Sequence, residues 1–73
     1  MQTIRVPIQT EYIKMDSLLK FAGVADTGGM AKEIIEQGEV SLDGETVTQR
    51  GKKVRPGMMV HVGLDVLIEV VPA

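Results

Sequence analysis

The chain has 73 residues, a formal charge of −2, 44% hydrophobic and 25% charged residues, and no cysteine. This length supports one small hydrophobic core and excludes a two-domain enzyme, while the mixed composition excludes a disordered tail. Without disulfides or thiolate metal sites, that core depends on packing alone. We expect a single domain over residues 1–73.

The first predicted elements are an edge strand and a short helix. Apolar residues alternate over 4–8, and Pro7 places this strand at a sheet edge because proline cannot donate a hydrogen bond to a neighbouring strand. Over 15–22 the apolar residues fall at i, i+3, i+4 and i+7, the spacing of one helix face. Asp16 is predicted to cap this helix and Gly23 to end it.

A second helix and a hairpin follow. Apolar residues over 31–35 predict a helix that is capped by Asp26 or Thr27 and stops at Gly38. The pair Asp43–Gly44 then separates two short apolar stretches, and this residue pair favours the type I′ turn of a β-hairpin.

The last third of the chain completes a sheet. Pro56–Gly57 marks a turn, after which alternating apolar residues predict strands over 60–62 and 66–70. The order of strand, two helices and several strands predicts an α+β fold. In this fold two short helices pack on a small, mostly antiparallel sheet.

No segment is typical of membrane insertion or export. No apolar run approaches 18 residues, and the N-terminus lacks the basic start and long apolar stretch of a signal peptide. Together with the absence of cysteine, this predicts a cytoplasmic protein without a membrane partner.

The charges are distributed very unevenly. Residues 50–55 hold four of the eight bases and none of the ten acids. We call these four bases the basic cluster: Arg50, Lys52, Lys53 and Arg55. Such a cluster creates a local positive field that attracts phosphates despite the negative net charge. The alternative is an ordinary solvated basic loop.

The chain offers no constellation for catalysis. His61 is the single histidine and there is no cysteine, so nucleophilic triads and metal sites have little to work with. Glu33 and Glu36 occupy ordinary solvated helix positions. The Gly23–Gly28 frame lacks the Lys and Ser or Thr of a phosphate-binding loop. We predict a protein that is not an enzyme and needs neither metal nor cofactor.

The start of the second helix is a candidate anion site. Thr27, Gly28 and Gly29 open this helix, where free backbone N–H groups and the helix dipole favour an anion and glycine permits close approach. The alternative is that the glycines only provide a tight turn. Lys32, one turn further on, favours the anion site.

The aromatic content limits the kind of nucleic acid that is expected. The chain has one tyrosine, Tyr12, and one phenylalanine, Phe21, and Phe21 is assigned to the core. A surface for stacking unpaired bases is therefore not expected. Recognition of structured RNA through phosphates and 2′-hydroxyls is favoured, whereas Glu33 and Glu36 on the second helix would repel a DNA backbone.

Three stretches resemble the S4 RNA-binding domain, which is named after a protein of the small ribosomal subunit. They are residues 14–20, 27–32 and 37–45. The segment Arg50–Lys53 resembles more narrowly the YaaA/YbcJ-like group of free-standing bacterial single-domain proteins. The resemblance covers about residues 13–62, and the order and spacing of the stretches make it specific.

The resemblance implies two helices and a hairpin that present one basic surface to structured RNA, usually ribosomal or transfer RNA. Many S4 domains carry arginine where this chain has Gly28, so we expect backbone N–H groups to replace a guanidinium there. Carried over and combined with the patterns above, the expected RNA-binding residues are Lys14, Lys20, Thr27, Gly28, Gly29, Lys32, Arg50, Lys52, Lys53 and Arg55.

Two other functions fit the same sequence. The chain could be a protein-interaction adaptor whose basic cluster binds an acidic partner in replication or ribosome assembly, with the fold as scaffold. A ribosomal particle or an assembly factor is a candidate partner of the chain. It could also be a subunit that supplies RNA affinity to a separate modifying enzyme. The sequence does not distinguish these two functions from RNA binding.

Overall fold

The computed structural model describes residues 2–73 and has the predicted α+β architecture. Over this range two short helices accompany a mostly antiparallel sheet and a separate two-stranded sheet. The elements in chain order are β1 (Gln2–Ile8), β2 (Ile13–Lys14), α1 (Met15–Phe21), α2 (Gly28–Glu36), β3 (Val40–Leu42), β4 (Glu45–Thr46), β5 (Lys53–Val54), β6 (Met59–Val62) and β7 (Val66–Pro72).

The larger sheet has the strand order β1-β7-β6-β3-β4. Strand β1 pairs in parallel with β7, with Val6 opposite Val70, and the other neighbours are antiparallel. The edge position predicted from Pro7 is confirmed, because β1 has β7 as its single neighbour in this sheet.

The turns follow the local sequence signals. Asp43 and Gly44 both have positive φ, 48° and 91°, as a type I′ hairpin turn between β3 and β4 requires. After α1, the N–H of Gly23 donates to the carbonyl of Lys20 and that of Val24 to the carbonyl of Leu19, the pattern of a Schellman cap. Both predicted chain reversals are confirmed.

The buried residues form one apolar cluster between the helices and the sheets. Helix α1 contributes Met15, Leu18 and Leu19 and α2 contributes Ala31 and Ile35. No polar or charged side chain is buried within residues 2–73. In the same range no helix is long and apolar enough to cross a membrane.

The small sheet of β2 and β5 was not predicted. Each strand has only two residues, too few to show an alternating pattern. The two strands pair although they lie far apart in the sequence. This pairing brings the basic cluster to the start of α1.

Candidate nucleic-acid interface

The pairing of β2 with β5 separates an apolar face from a basic one. Ile13 lies opposite Val54, which is fully buried, and both pack in the core. Lys14 lies opposite Lys53, and both are exposed. Because directly opposed residues project to the same side of an antiparallel pair, burial of the apolar pair turns both lysines to solvent. We call Lys14 and Lys53 the lysine pair.

Backbone hydrogen bonds fix the basic cluster to the start of α1. The N–H of Met15 donates to the carbonyl of Lys52 over 2.9 Å, and that of Asp16 donates to the carbonyl of Arg50 over 3.1 Å. Two of the N–H groups that a helix leaves free at its start are therefore used by the basic cluster. The position of the cluster is set by main chain, which leaves its side chains available.

The prediction that Asp16 caps α1 is wrong. The N-cap is Lys14, whose side chain makes no capping hydrogen bond, and the Asp16 carboxylate accepts from the N–H of Ser17 inside the first turn. The carbonyls of Lys52 and Arg50 take over the role expected of a capping side chain.

Tyr12 borders the lysine pair. The Lys53 ammonium nitrogen lies 4.8 Å from the centre of the Tyr12 ring, a cation–π geometry. Tyr12 lies two residues before Lys14 along an extended segment, so the two side chains share a face. This contact was not predicted from the sequence, although the alternation of side chains over 12–14 indicates that Tyr12 and Lys14 share a face.

The bases of this surface have no acidic partners in the part of the chain that the structure describes. Over residues 2–73 the ion pair present joins Arg5 to Glu69 at 3.6 Å, on the neighbouring strands β1 and β7. Lys14 and Lys53 instead lie opposite one another in the register of β2 and β5, and like charges directly opposite destabilise a strand pair. The fold holds positive charge together without neutralising it.

The remaining base of the cluster, Arg55, begins the turn before β6. Its carbonyl accepts from the N–H of Met58, and its exposed side chain lines an open groove of about 800 Å³ together with Lys52 and Lys53. Asp43 and Glu45 of the β3–β4 hairpin also line it, and the Asp43 carboxylate accepts from the N–H of Met59 over 3.0 Å. The lining of the groove therefore includes both basic and acidic side chains.

The start of α2 differs from that of α1. Thr27 is the N-cap and its hydroxyl accepts from the N–H of Met30 over 3.1 Å, which confirms one of the two predicted caps. The N–H groups of Gly28 and Gly29 have no hydrogen-bond partner among residues 2–73. These two N–H groups point out of the helix start and can receive an anion.

The fold does not require glycine at either position. Gly28 and Gly29 lie in the first turn of α2, and neither has the positive φ that favours glycine. A Cβ at Gly28 would meet no atom within 4 Å, and one at Gly29 would meet only the Thr27 hydroxyl at 4.0 Å. The tight-turn interpretation is thus wrong, since neither residue has a turn conformation.

Two further predicted residues lie on the helices. Lys20 is exposed in the last turn of α1, and Lys32 is exposed on α2 one turn beyond Gly28. Helix α2 packs on α1, and within residues 2–73 no hydrogen bond joins α2 to the basic cluster. We therefore treat the predicted residues as two groups: Lys14 with the basic cluster at the start of α1, and Lys20 and Lys32 with the first residues of α2.

Phe21 is not a core residue, contrary to the prediction. Its side chain is 69% exposed, at the last position of α1. The buried face of α1 is defined by Met15, Leu18 and Leu19, and a residue two positions after Leu19 is rotated well away from that face. The position of Phe21 around the helix indicates an exposed side chain, whereas its apolar character alone indicated a core position.

Comparison with known proteins shows the family to which the chain is similar. Residues 6–71 match the model of the S4 domain family. The chain is 37% identical over 57 residues to a protein of Bacillus subtilis strain 168 named "Probable ribosome maturation protein RlbA", a match that covers 78% of this chain and 80% of that protein. These matches confirm the resemblance seen in the sequence.

Proposed function

Because the chain belongs to the S4 domain family, we propose that it is a non-enzymatic protein that binds structured RNA through its phosphates. The observation that carries this proposal is the lysine pair. Lys14 and Lys53 are held opposite each other by β2 and β5, and Lys52 is fixed beside them through its carbonyl. An arrangement that costs folding energy through charge repulsion is relieved when an anion lies between the charges.

We propose the start of α2 as the second site of contact with an RNA phosphate. The free N–H groups of Gly28 and Gly29, the helix dipole and the ammonium of Lys32 one turn away all favour a phosphate there. Glycine at the first two helical positions costs helix stability compared with alanine. The absence of any steric or conformational need for glycine supports close approach of a ligand to this backbone.

The two groups of contacts suit a folded RNA. Helix α1 has seven residues and is about 10 Å long at 1.5 Å per residue, so the lysine pair at its start and Lys20 near its end can reach different phosphates. Successive phosphates on one strand and phosphates across a groove lie at spacings of this order. We therefore assign both groups to one RNA surface.

The RNA is proposed to be ribosomal. The relative in Bacillus subtilis is named a probable ribosome maturation protein, and this supports a role in ribosome maturation for the present chain. We propose that this role is carried out in the cytoplasm. Transfer RNA is the second structured RNA to which the same surface is suited.

The experiment is crosslinking in cells followed by sequencing of the attached RNA, comparing the wild type with the Arg50→Ala/Lys52→Ala/Lys53→Ala variant. The expected result is enrichment of one structured region of ribosomal RNA that disappears in the variant. Arg5→Ala is the control, because Arg5 pairs with Glu69 outside the proposed surface. Wild-type signal no greater than background would refute RNA binding.

A protein-interaction adaptor is the second candidate function, favoured by the groove that Asp43, Glu45, Lys52 and Lys53 line together. A groove lined by both acidic and basic side chains can receive a partner segment that carries both charges. Affinity purification with and without ribonuclease separates the two functions. An adaptor keeps its partner after RNA is destroyed, whereas an RNA-binding protein loses it.

A further inference from the structure

An aromatic ring stands exposed at the end of α1. The Phe21 side chain is 69% exposed, and the chain has only one other aromatic residue. The exposure of Phe21 follows from its position on α1, because Met15, Leu18 and Leu19 form the buried face and Phe21 projects away from it. Single exposed apolar side chains are common on protein surfaces, and Leu64 is more exposed still, so the neighbours of Phe21 decide whether it has a binding role.

The neighbours of Phe21 are polar and positively charged. Lys20 precedes it and Ser17 lies one turn before it on the same solvent-exposed side of α1. The connection from Ala22 onward leads directly to Thr27 and the free N–H groups at the start of α2. Lys20 and Phe21 project about 100° apart around α1, so an RNA strand that crosses the end of this helix can place a base on the ring and a phosphate near the ammonium.

We propose that Phe21 stacks on an unpaired base of the bound RNA while Lys20 contacts a neighbouring phosphate. This inference rests on the proposed RNA-binding function and narrows its ligand to structured RNA with at least one unstacked nucleotide, such as a bulge or a loop. Tyr12 is less suited to this role, because it is only partly exposed and the Lys53 ammonium covers its ring.

The test compares three proteins binding to deproteinised ribosomal RNA: the wild type, Phe21→Leu and Phe21→Tyr. Leucine preserves apolar surface without a flat ring, whereas tyrosine preserves the ring. Phe21→Leu is expected to weaken binding about 5- to 100-fold, and Phe21→Tyr less than about 3-fold. The salt dependence of binding should not change in either variant, since neither substitution alters charge.

Ultraviolet crosslinking of the same mixtures, followed by mass spectrometry of the peptides, locates the contact. A nucleotide attached to Phe21 in the wild type is the expected result. Equal binding by wild type and Phe21→Leu, or equal loss in both variants, would overturn the stacking proposal and leave Phe21 to an apolar protein partner. Wild-type protein that binds no ribosomal RNA would instead overturn the proposed function itself.

Discussion

The two helices begin in opposite ways. At the start of α1, the N–H groups of Met15 and Asp16 are bonded to carbonyls of the basic cluster. At the start of α2, Thr27 caps one N–H and the N–H groups of the two following glycines stay free. One helix start is used to hold a binding surface in place, and the other is available to bind. Equivalent local features thus serve different purposes according to what the fold has already bonded to them.

Removing the lysine charges at the start of α1 should change RNA binding more than any other substitution proposed below. Lys14→Gln/Lys52→Gln/Lys53→Gln should lower the log–log salt slope of RNA binding by about 2 to 3, because each lysine that neutralises a phosphate contributes about 0.7 to 0.9 to the slope. The measurement is a salt titration with the RNA identified by crosslinking. Arg5→Gln is the control and should leave the slope unchanged.

Folding stability gives the same triple variant a second readout. The triple variant removes the repulsion between Lys14 and Lys53 and also the cation–π contact of Lys53 with Tyr12. These effects are small and opposite in sign, so the midpoint of urea unfolding should stay nearly unchanged. A marked fall in that midpoint would mean that the lysines support the fold, and the lost binding would then say little about phosphate contacts.

The side of α2 gives an intermediate effect that distinguishes binding from folding. Gly28→Ala/Gly29→Ala should weaken RNA binding by about tenfold because the new methyl groups obstruct the approach of a phosphate to the backbone. The same change should stabilise the protein by up to about 1 kcal/mol per residue, since alanine is the better helix former and the space is open. Unfolding and binding measured together test this. Unchanged binding by a stabilised variant would exclude α2 from the interface.

Removing side chains at the two helix starts should have the smallest effects, and these are effects on stability. Thr27→Ala removes the hydroxyl that accepts from Met30 and should cost about 1 kcal/mol of stability. Asp16→Ala should cost less than about 0.5 kcal/mol, because main-chain carbonyls already hold the start of α1. Urea unfolding of both variants measures the difference. Equal losses would show that Asp16 caps its helix after all.

Sequence reasoning predicted the features that depend on a few adjacent residues. The Asp43–Gly44 turn, the end of α1 at Gly23 and the Thr27 cap each follow from local stereochemistry, and each is present. The S4 family was likewise predictable from the order of short motifs, and the family match confirms it.

The features that sequence reasoning missed depend on contacts between distant residues. Lys14 and Lys53 become neighbours through two-residue strands that have no detectable period. The carbonyls that accept hydrogen bonds from the start of α1 belong to the main chain. Every residue has such a carbonyl, so the residue types do not indicate which ones are used. Phe21 is different, because the helical phase of α1 indicated its exposure and its apolar character was given too much weight.

If the lysine pair and the start of α2 belong to one RNA-binding surface, a single RNA must contact both. A titration of ¹⁵N-labelled protein with the crosslinked RNA fragment, in which backbone amide signals are followed by NMR, tests this. We expect large shifts for Gly28, Gly29, Lys14 and Lys53, and smaller shifts for the bonded amide of Asp16. Shifts confined to the acidic hairpin around Asp43, or to one of the two groups alone, would contradict it.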